Sequence, residues 1–358
     1  LIALAVLAAS GAAMAQSSVT LYGVADAGVT YLNGNDNWSG VTSGNNLTSR
    51  LGFRGVEDLG GGLKANFVIE GGFNLDNGDG ASGYAGAKAG EGFQFKRRST
   101  VGLSGGFGEV RMGRELTAAY NATARYDVFG SVGIGQSRLW ADGGVVDASA
   151  NATAVTTNQR ISNALTYVSP DFSGFKVGLN YGFGETTASN SDSGYMGAGL
   201  MYDNGPLSLG LGLERLNNGA NSVAVSDIDA WSLGGSYDFG VAKLLAGYRE
   251  STVDRATGEN KRLGYYVAAT APVGAGTVRV SYNRYENELA NLKEKADQFA
   301  IGYVYGLSKR TSVYGTYAYL KQKDYNGIPA SAMYTLGSGG LKSNGKQQGI
   351  QVGVSHAF

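Results

Sequence analysis

From Ser18 to the last residue, the chain alternates between apolar and polar or very small side chains. Leu207, Leu209, Leu211 and Leu213 are interleaved with Ser208, Gly210, Gly212 and Glu214. Phe175, Val177, Leu179, Tyr181 and Phe183 are interleaved with Lys176, Gly178, Asn180, Gly182 and Gly184. Phe299, Ile301, Tyr303 and Tyr305 face away from Gln298, Ala300, Gly302 and Val304. Successive side chains of a strand point to opposite faces, so each segment has one apolar and one polar face. About sixteen such segments are predicted, near 18–31, 47–56, 63–74, 93–104, 109–116, 159–169, 175–184, 195–203, 207–216, 229–239, 241–250, 261–271, 276–285, 297–307, 311–320 and 347–358.

The connections alternate too. Glu57–Gly62, Gly105–Gly108, Pro170–Gly174, Asp203–Pro206 and Leu307–Arg310 are short; Leu32–Asn46, Leu75–Gly92, Thr117–Asn158, Asn217–Ile228 and Lys321–Lys346 are long. Tight turns at one rim and long loops at the other are the layout of a transmembrane β-barrel. A soluble sandwich would need large side chains on its inner faces, whereas the second face here is mostly Gly, Ser, Thr, Asn and scattered charge. Aromatics near segment ends (Tyr31, Tyr167, Tyr202, Tyr248, Tyr285, Tyr319) suit an interfacial girdle. Sixteen strands enclose a water-filled lumen, and closure leaves no backbone edge unpaired in hydrocarbon.

Composition narrows the chemistry. The 358 residues include 58 Gly, 22 Tyr, no Cys and one His, with 29 basic and 29 acidic side chains. A lone His356 beside the C-terminus argues against a Ser-His-Asp triad, a multi-His metal site and a lipase-type barrel enzyme; no catalytic residue, cofactor or metal is expected. Zero net charge leaves no electrostatic footprint for nucleic acid. Leu1–Ala15 is apolar and ends in Ala13-Met14-Ala15, the pattern of a signal peptide cleaved before Gln16 and here clipped at its start. It is too short for a spanning helix. Residues 16–358 are expected to form one exported barrel domain.

At the motif level the chain resembles the Gram-negative general-diffusion porins, the trimeric outer-membrane porins of Neisseria and Burkholderia type. The resemblance is carried by Ser18–Gly23 (SVTLYG), Ser49–Gly55 (SRLGFRG) with Glu57–Gly60, Val101–Gly108 (VGLSGGFG), Met112–Arg114, Asn163–Pro170 (NALTYVSP) and Gly353–Phe358 (GVSHAF). It implies a homotrimer in the outer membrane, in contact with membrane lipid and lipopolysaccharide, passing small hydrophilic solutes and ions by passive diffusion. The terminal Phe358 resembles the signal read by the barrel-assembly machinery.

A pore that selects by size needs a constriction. Thr117–Asn158 is longer than an ordinary loop and is expected to be functional; the resemblance implies that it is the third external loop, folded inward, with Asp127 as an acidic residue of the eyelet and Asp142 and Asp147 further along. Alternation places the opposing charges. Leu47, Leu51 and Phe53 on the lipid face leave Arg50 and Arg54 in the lumen; Leu63, Ala65, Phe67 and Ile69 leave Lys64 and Glu70; Ile161, Leu165 and Tyr167 leave Arg160. Mid-bilayer Lys or Arg on the lipid face costs about 2–4 kcal/mol. The resemblance agrees for Arg50, Glu70 and Arg160 but not on the fourth strand, where alternation from Val101 and Leu103 sends Lys96 and Arg98 inward and the family register points to Arg97. Arginines facing carboxylates across the gap imply a weak anion preference.

Other signals are discounted. Gly78–Gly83 matches G-x-G-x-x-G without a βαβ context. Asp76–Gly80 resembles a calcium loop, but Ala87 stands where its bidentate Glu belongs. Lys96-Arg97-Arg98 lies on an isolated strand. The rivals to a general porin are a substrate-specific channel, a barrel enzyme and an adhesin; lumen-parity Tyr22, Tyr266 and Tyr314 lie on distant strands and form no aromatic slide.

Overall fold

The computed structural model describes residues 18–81, 92–140, 159–184, 194–217, 227–254, 259–289, 292–323 and 335–358. The expected signal peptide lies outside these residues. Among them, the alternating segments form β1 (Ser18–Asn33), β2 (Asn37–Ser43), β3 (Arg50–Gly60), β4 (Leu63–Phe73), β5 (Gly80–Ala81), β6 (Arg98–Gly105), β7 (Gly108–Leu116), β8 (Arg160–Val168) and β9 (Phe175–Gly182). They continue as β10 (Tyr195–Asn204), β11 (Leu207–Asn217), β12 (Asp227–Asp238), β13 (Lys243–Val253), β14 (Asn260–Val273), β15 (Gly276–Leu289), β16 (Leu292–Gly306), β17 (Thr311–Lys323) and β18 (Lys346–Ala357). One short helix, α1 (Ala118–Thr123), and a 3-10 turn (Ala124–Tyr126) follow β7.

The eighteen strands occupy sixteen wall positions. β1 pairs with β3 through Ser18–Val24 and with β2 through Ala27–Asn33, so β2 and β3 follow one another in one position. β5 and β6 share the far side of β4 in the same way. Every pairing is antiparallel, and β1 closes the ring on β18, with Val29 opposite Val352. Gly23 and Phe358 exchange both backbone hydrogen bonds at 3.1 Å. The result is an all-β, sixteen-position closed barrel.

Large apolar side chains cover its outside. Leu21, Val101, Leu165, Leu179, Leu213, Leu233, Val267, Ile301 and Val352 are all exposed. A solvated protein does not carry such a continuous apolar belt, and hydrocarbon matches it.

Three expectations need correction. Asn37–Ser43, read as loop, pairs with β1. Ile161, read as lipid-facing, is buried with Ala164 and Tyr195. Here Ser162 and Asn163 oppose the single residue Arg114, and Asn163 has φ 52°, so a bulge reverses the alternation. Tyr285, read as part of the girdle, points inward, where its hydroxyl accepts the Arg138 N–H at 2.8 Å. β15 and β16 also run further than expected, because cross-strand ion pairs such as Lys295–Glu286 (3.1 Å) and Lys293–Glu288 (2.9 Å) continue the ladder where apolar side chains end.

Candidate functional site

The inward-facing positions divide into two walls of different chemistry. On β9–β14 many of them are glycine or serine, beside Asn180, Tyr266 and a buried Glu214–Arg249 ion pair, and the segment 117–140 lies directly on them. Thr117 caps α1 by accepting the Tyr120 N–H at 3.1 Å, and Asn180 of β9 accepts the Ala118 N–H. A side chain at Gly199 would run into the Ala118 carbonyl, one at Gly210 into the Ala122 carbonyl and one at Gly234 into the Tyr126 ring. Thr123 links α1 to β12 through Ser232 (3.0 Å) and also accepts the Trp140 indole N–H (3.0 Å). The indole in turn meets Tyr266 edge-on at 5.5 Å.

The segment then crosses to β15–β18. Gln298 donates to the Ile134 and Gln136 carbonyls at 3.3 and 3.0 Å, and Gln351 accepts the Ile134 N–H at 3.4 Å. Arg279 donates to the Val128 carbonyl (3.1 Å) and lies 4.8 Å from the centre of the Phe129 ring. Tyr126, Phe129, Ile134, Leu139 and Trp140 form a buried apolar cluster with Leu245, Tyr266, Ala300, Ala318 and Leu320. Backbone and aromatic rings thus occupy space that larger inward side chains would have filled.

Asp127 sits inside this docked segment, and its placement differs from the expected one. It is 6% exposed and accepts backbone N–H groups from Phe129 (3.0 Å), Ser131 (2.9 Å) and Ser137 (2.9 Å). Burial raises its pKa to about 6, while the three amides and Arg279 pull the other way. This carboxylate folds the loop and presents no free charge to an aqueous gap. Asp142 and Asp147 lie outside the described residues.

The second wall, β3–β8, carries guanidinium groups. Arg50, Arg54, Arg97, Arg98, Arg111 and Arg160 supply six positive charges and Glu70, Glu109 and Glu115 three negative ones, a surplus of 6 − 3 = 3 that Lys64 and Asp58, directly opposite each other, leave unchanged. Glu70 is shared by Arg97 (2.7 Å), Arg50 (3.7 Å) and the Tyr22 hydroxyl (3.0 Å). Glu115 meets Arg111 at 2.8 Å and Arg98 at 3.8 Å, and Arg111 also holds Glu109 at 2.6 Å. Arg54 lies over the Tyr22 ring, 5.3 Å from its centre. Arg160 is buried and donates to the Arg97 carbonyl at 2.9 Å. Arg54 is exposed, and Arg50 and Arg98 are partly so.

The conflict between Arg97 and Arg98 resolves through the strand boundary. β6 starts at Arg98, whose side chain shares a face with Thr100 and donates to its hydroxyl at 3.1 Å, as alternation requires. Arg97 precedes the regular pleat and is free to turn to Glu70. Both therefore reach the charged wall. Arg111, Glu115 and Tyr22 were absent from the expected site, although inward parity from Val110 and Met112 would have found Arg111.

Comparison with known proteins supports one assignment. Residues 2–325 match the family model described as Gram-negative porin. The chain is 44% identical to outer membrane porin protein 32 of Delftia acidovorans, across 100% of this chain and 99% of that protein. It is 34% identical to an outer membrane porin protein of Bordetella pertussis, covering 90% and 94% of the two chains. A solved structure described as an anion-selective porin from Comamonas acidovorans superposes with a TM-score of 0.81 at 40% identity, covering 96% of this chain and 100% of that one.

Proposed function

The chain belongs to the Gram-negative porin family of outer-membrane proteins, and from that premise we propose that it forms a passive diffusion channel with anion preference, narrowed between two unlike inner walls. Segment 117–140, seated on the glycine-lined wall, takes up part of the lumen cross-section. The remaining aqueous gap runs along β3–β8. There Arg50, Arg54, Arg97, Arg98 and Arg160 set the field, and Glu70 orients the guanidiniums around it. Small hydrophilic anions are drawn to the surplus positive charge, and no covalent step or energy source is involved. The observation that carries this reading is the guanidinium surplus on the uncovered wall.

The anion-selective relative supports the same sign. Trimeric assembly, and delivery by barrel-assembly machinery that reads Phe358, belong to the same proposal. The test is the zero-current potential of the refolded protein in a planar bilayer under a tenfold KCl gradient. An anion-selective sign is expected; a cation-selective sign, or no conductance, contradicts the proposal.

A further inference from the structure

A second stretch of chain turns into the lumen. β2 ends at Ser43 and β3 begins at Arg50, so the wall position they share is interrupted between them. Gly44, at φ 70°, starts the departure. Asp26 of β1, fully buried, holds the departed backbone. Its carboxylate accepts the Asn45, Asn46 and Leu47 N–H groups at 2.8, 3.2 and 3.0 Å, and the Tyr314 hydroxyl at 2.8 Å. A buried carboxylate satisfied by backbone amides thus fixes Gly44–Thr48, as Asp127 fixes the docked segment.

How far this turn reaches follows from what it touches. The Asn46 side-chain oxygen accepts an N–H of Arg279, on β15, at 2.9 Å. β16, β17, β18 and β1 stand between β15 and the position of β2 and β3, an arc of about 24 Å at ~4.8 Å per strand. An arginine side chain cannot cross that distance, so the contact exists because Gly44–Thr48 leaves the wall. The other terminal nitrogen of Arg279 donates to the Val128 carbonyl at 3.1 Å. Beside it, a side chain at Gly133 would collide with the Asn45 carbonyl. One guanidinium therefore joins two inward segments that start from different parts of the barrel.

We propose that Arg279 is a clamp, a positioning residue that locks Gly44–Thr48 and the docked segment into one unit. The glycine bed fixes the docked segment at α1; the clamp fixes its far edge, at 128–133, and with it the width of the aqueous gap. The proposal deepens the channel reading and rests on it, but its main readout does not require conductance.

That readout is hydrogen exchange at residues 45–47 and 128–131 of the folded, detergent-solubilised protein, in wild type, Asn46→Ala, Arg279→Met and the double variant. Asn46→Ala leaves Arg279 on Val128, yet is expected to speed exchange at 128–131. Arg279→Met should speed exchange in both stretches at least about tenfold, and the double variant should be no faster than Arg279→Met alone. Asn46→Asp, which keeps the acceptor oxygen, should hold 128–131 at the wild-type rate. In a planar bilayer, Arg279→Met should show brief steps above the wild-type conductance, whereas Lys309→Gln, on an exposed short turn, should change nothing. Heat-modifiable migration establishes folding, and if Arg279→Met does not fold, Asn46→Ala decides the matter. Wild-type exchange at 128–131 in Asn46→Ala, or additive effects in the double variant, would overturn the clamp. A wild type without conductance contradicts the channel reading and leaves the exchange result to judge the clamp.

Discussion

The two inner walls are built from the same strand geometry and differ only in what stands at alternate positions. On β9–β14 those positions include Gly178, Gly199, Gly210, Gly212, Gly234, Gly247 and Gly264, interspersed with Asn180, Ser232, Tyr266 and the buried Glu214–Arg249 pair, and a polypeptide segment fills the space the glycines leave. On β3–β8 they are Arg50, Arg54, Glu70, Arg98 and Arg111, and water has access. In the channel we propose, a pore wall is specified by omission: small inward residues create a bed for a loop, and the loop moves the aqueous path to the opposite side. Width and charge in that proposed channel are set by different parts of the chain, so each can be changed alone.

The largest expected effect comes from filling the bed. Gly210→Val places its side chain against the Ala122 carbonyl, and such overpacking costs about 1–3 kcal/mol. The loop should lift from the wall and single-channel conductance should rise, with ion preference little changed. Leu209→Val, one position away on the outer face, should leave conductance as it was. Equal effects from the two substitutions would break the comparison.

A second, pH-dependent effect belongs to Asp127. Its pKa of about 6 lies above the ~3.9 of an exposed Asp, so the docked segment binds the proton more tightly than the undocked chain. Docking is then strongest below about pH 4 and weakens as pH rises through 6, by at most about 3 kcal/mol. Hydrogen exchange of residues 126–137 should be slower at pH 5 than at pH 7.5, after correction for intrinsic rates, and Asp127→Asn should flatten the difference. The smallest effect is expected for Glu70→Gln. Removing the carboxylate adds positive charge to the uncovered wall but releases Arg50 and Arg97 from their shared partner. A slightly stronger anion preference with noisier open-channel current should result.

Much of the barrel was legible in the alternation, since strands such as Leu207–Leu213 have one partner medium on each side. Where a bulge interrupts the period, at Ser162 and Asn163, Ile161 changed faces, and no count of apolar residues could reveal it. Arg50, Arg54, Arg98 and Glu70 were legible because a charge on the lipid face is costly. Asp127 was not: in a long polar loop a carboxylate reads as solvated, and only the fold brings three amides to it. The inward glycines were a signal of that burial. A wall rich in inward glycine calls for a second layer, and the longest connection in the sequence, Thr117–Asn158, follows β7.

The most direct test of the separation between walls is the zero-current potential of Arg50→Gln/Arg54→Gln/Arg98→Gln beside that of Gly210→Val, in the same salt gradient. The uncovered wall is predicted to set the sign: the triple variant should move toward or past zero, while the glycine variant keeps the wild-type potential at higher conductance. If the triple variant keeps the wild-type potential and Gly210→Val abolishes it, ion preference resides in the loop and the assignment of charge to β3–β8 is wrong.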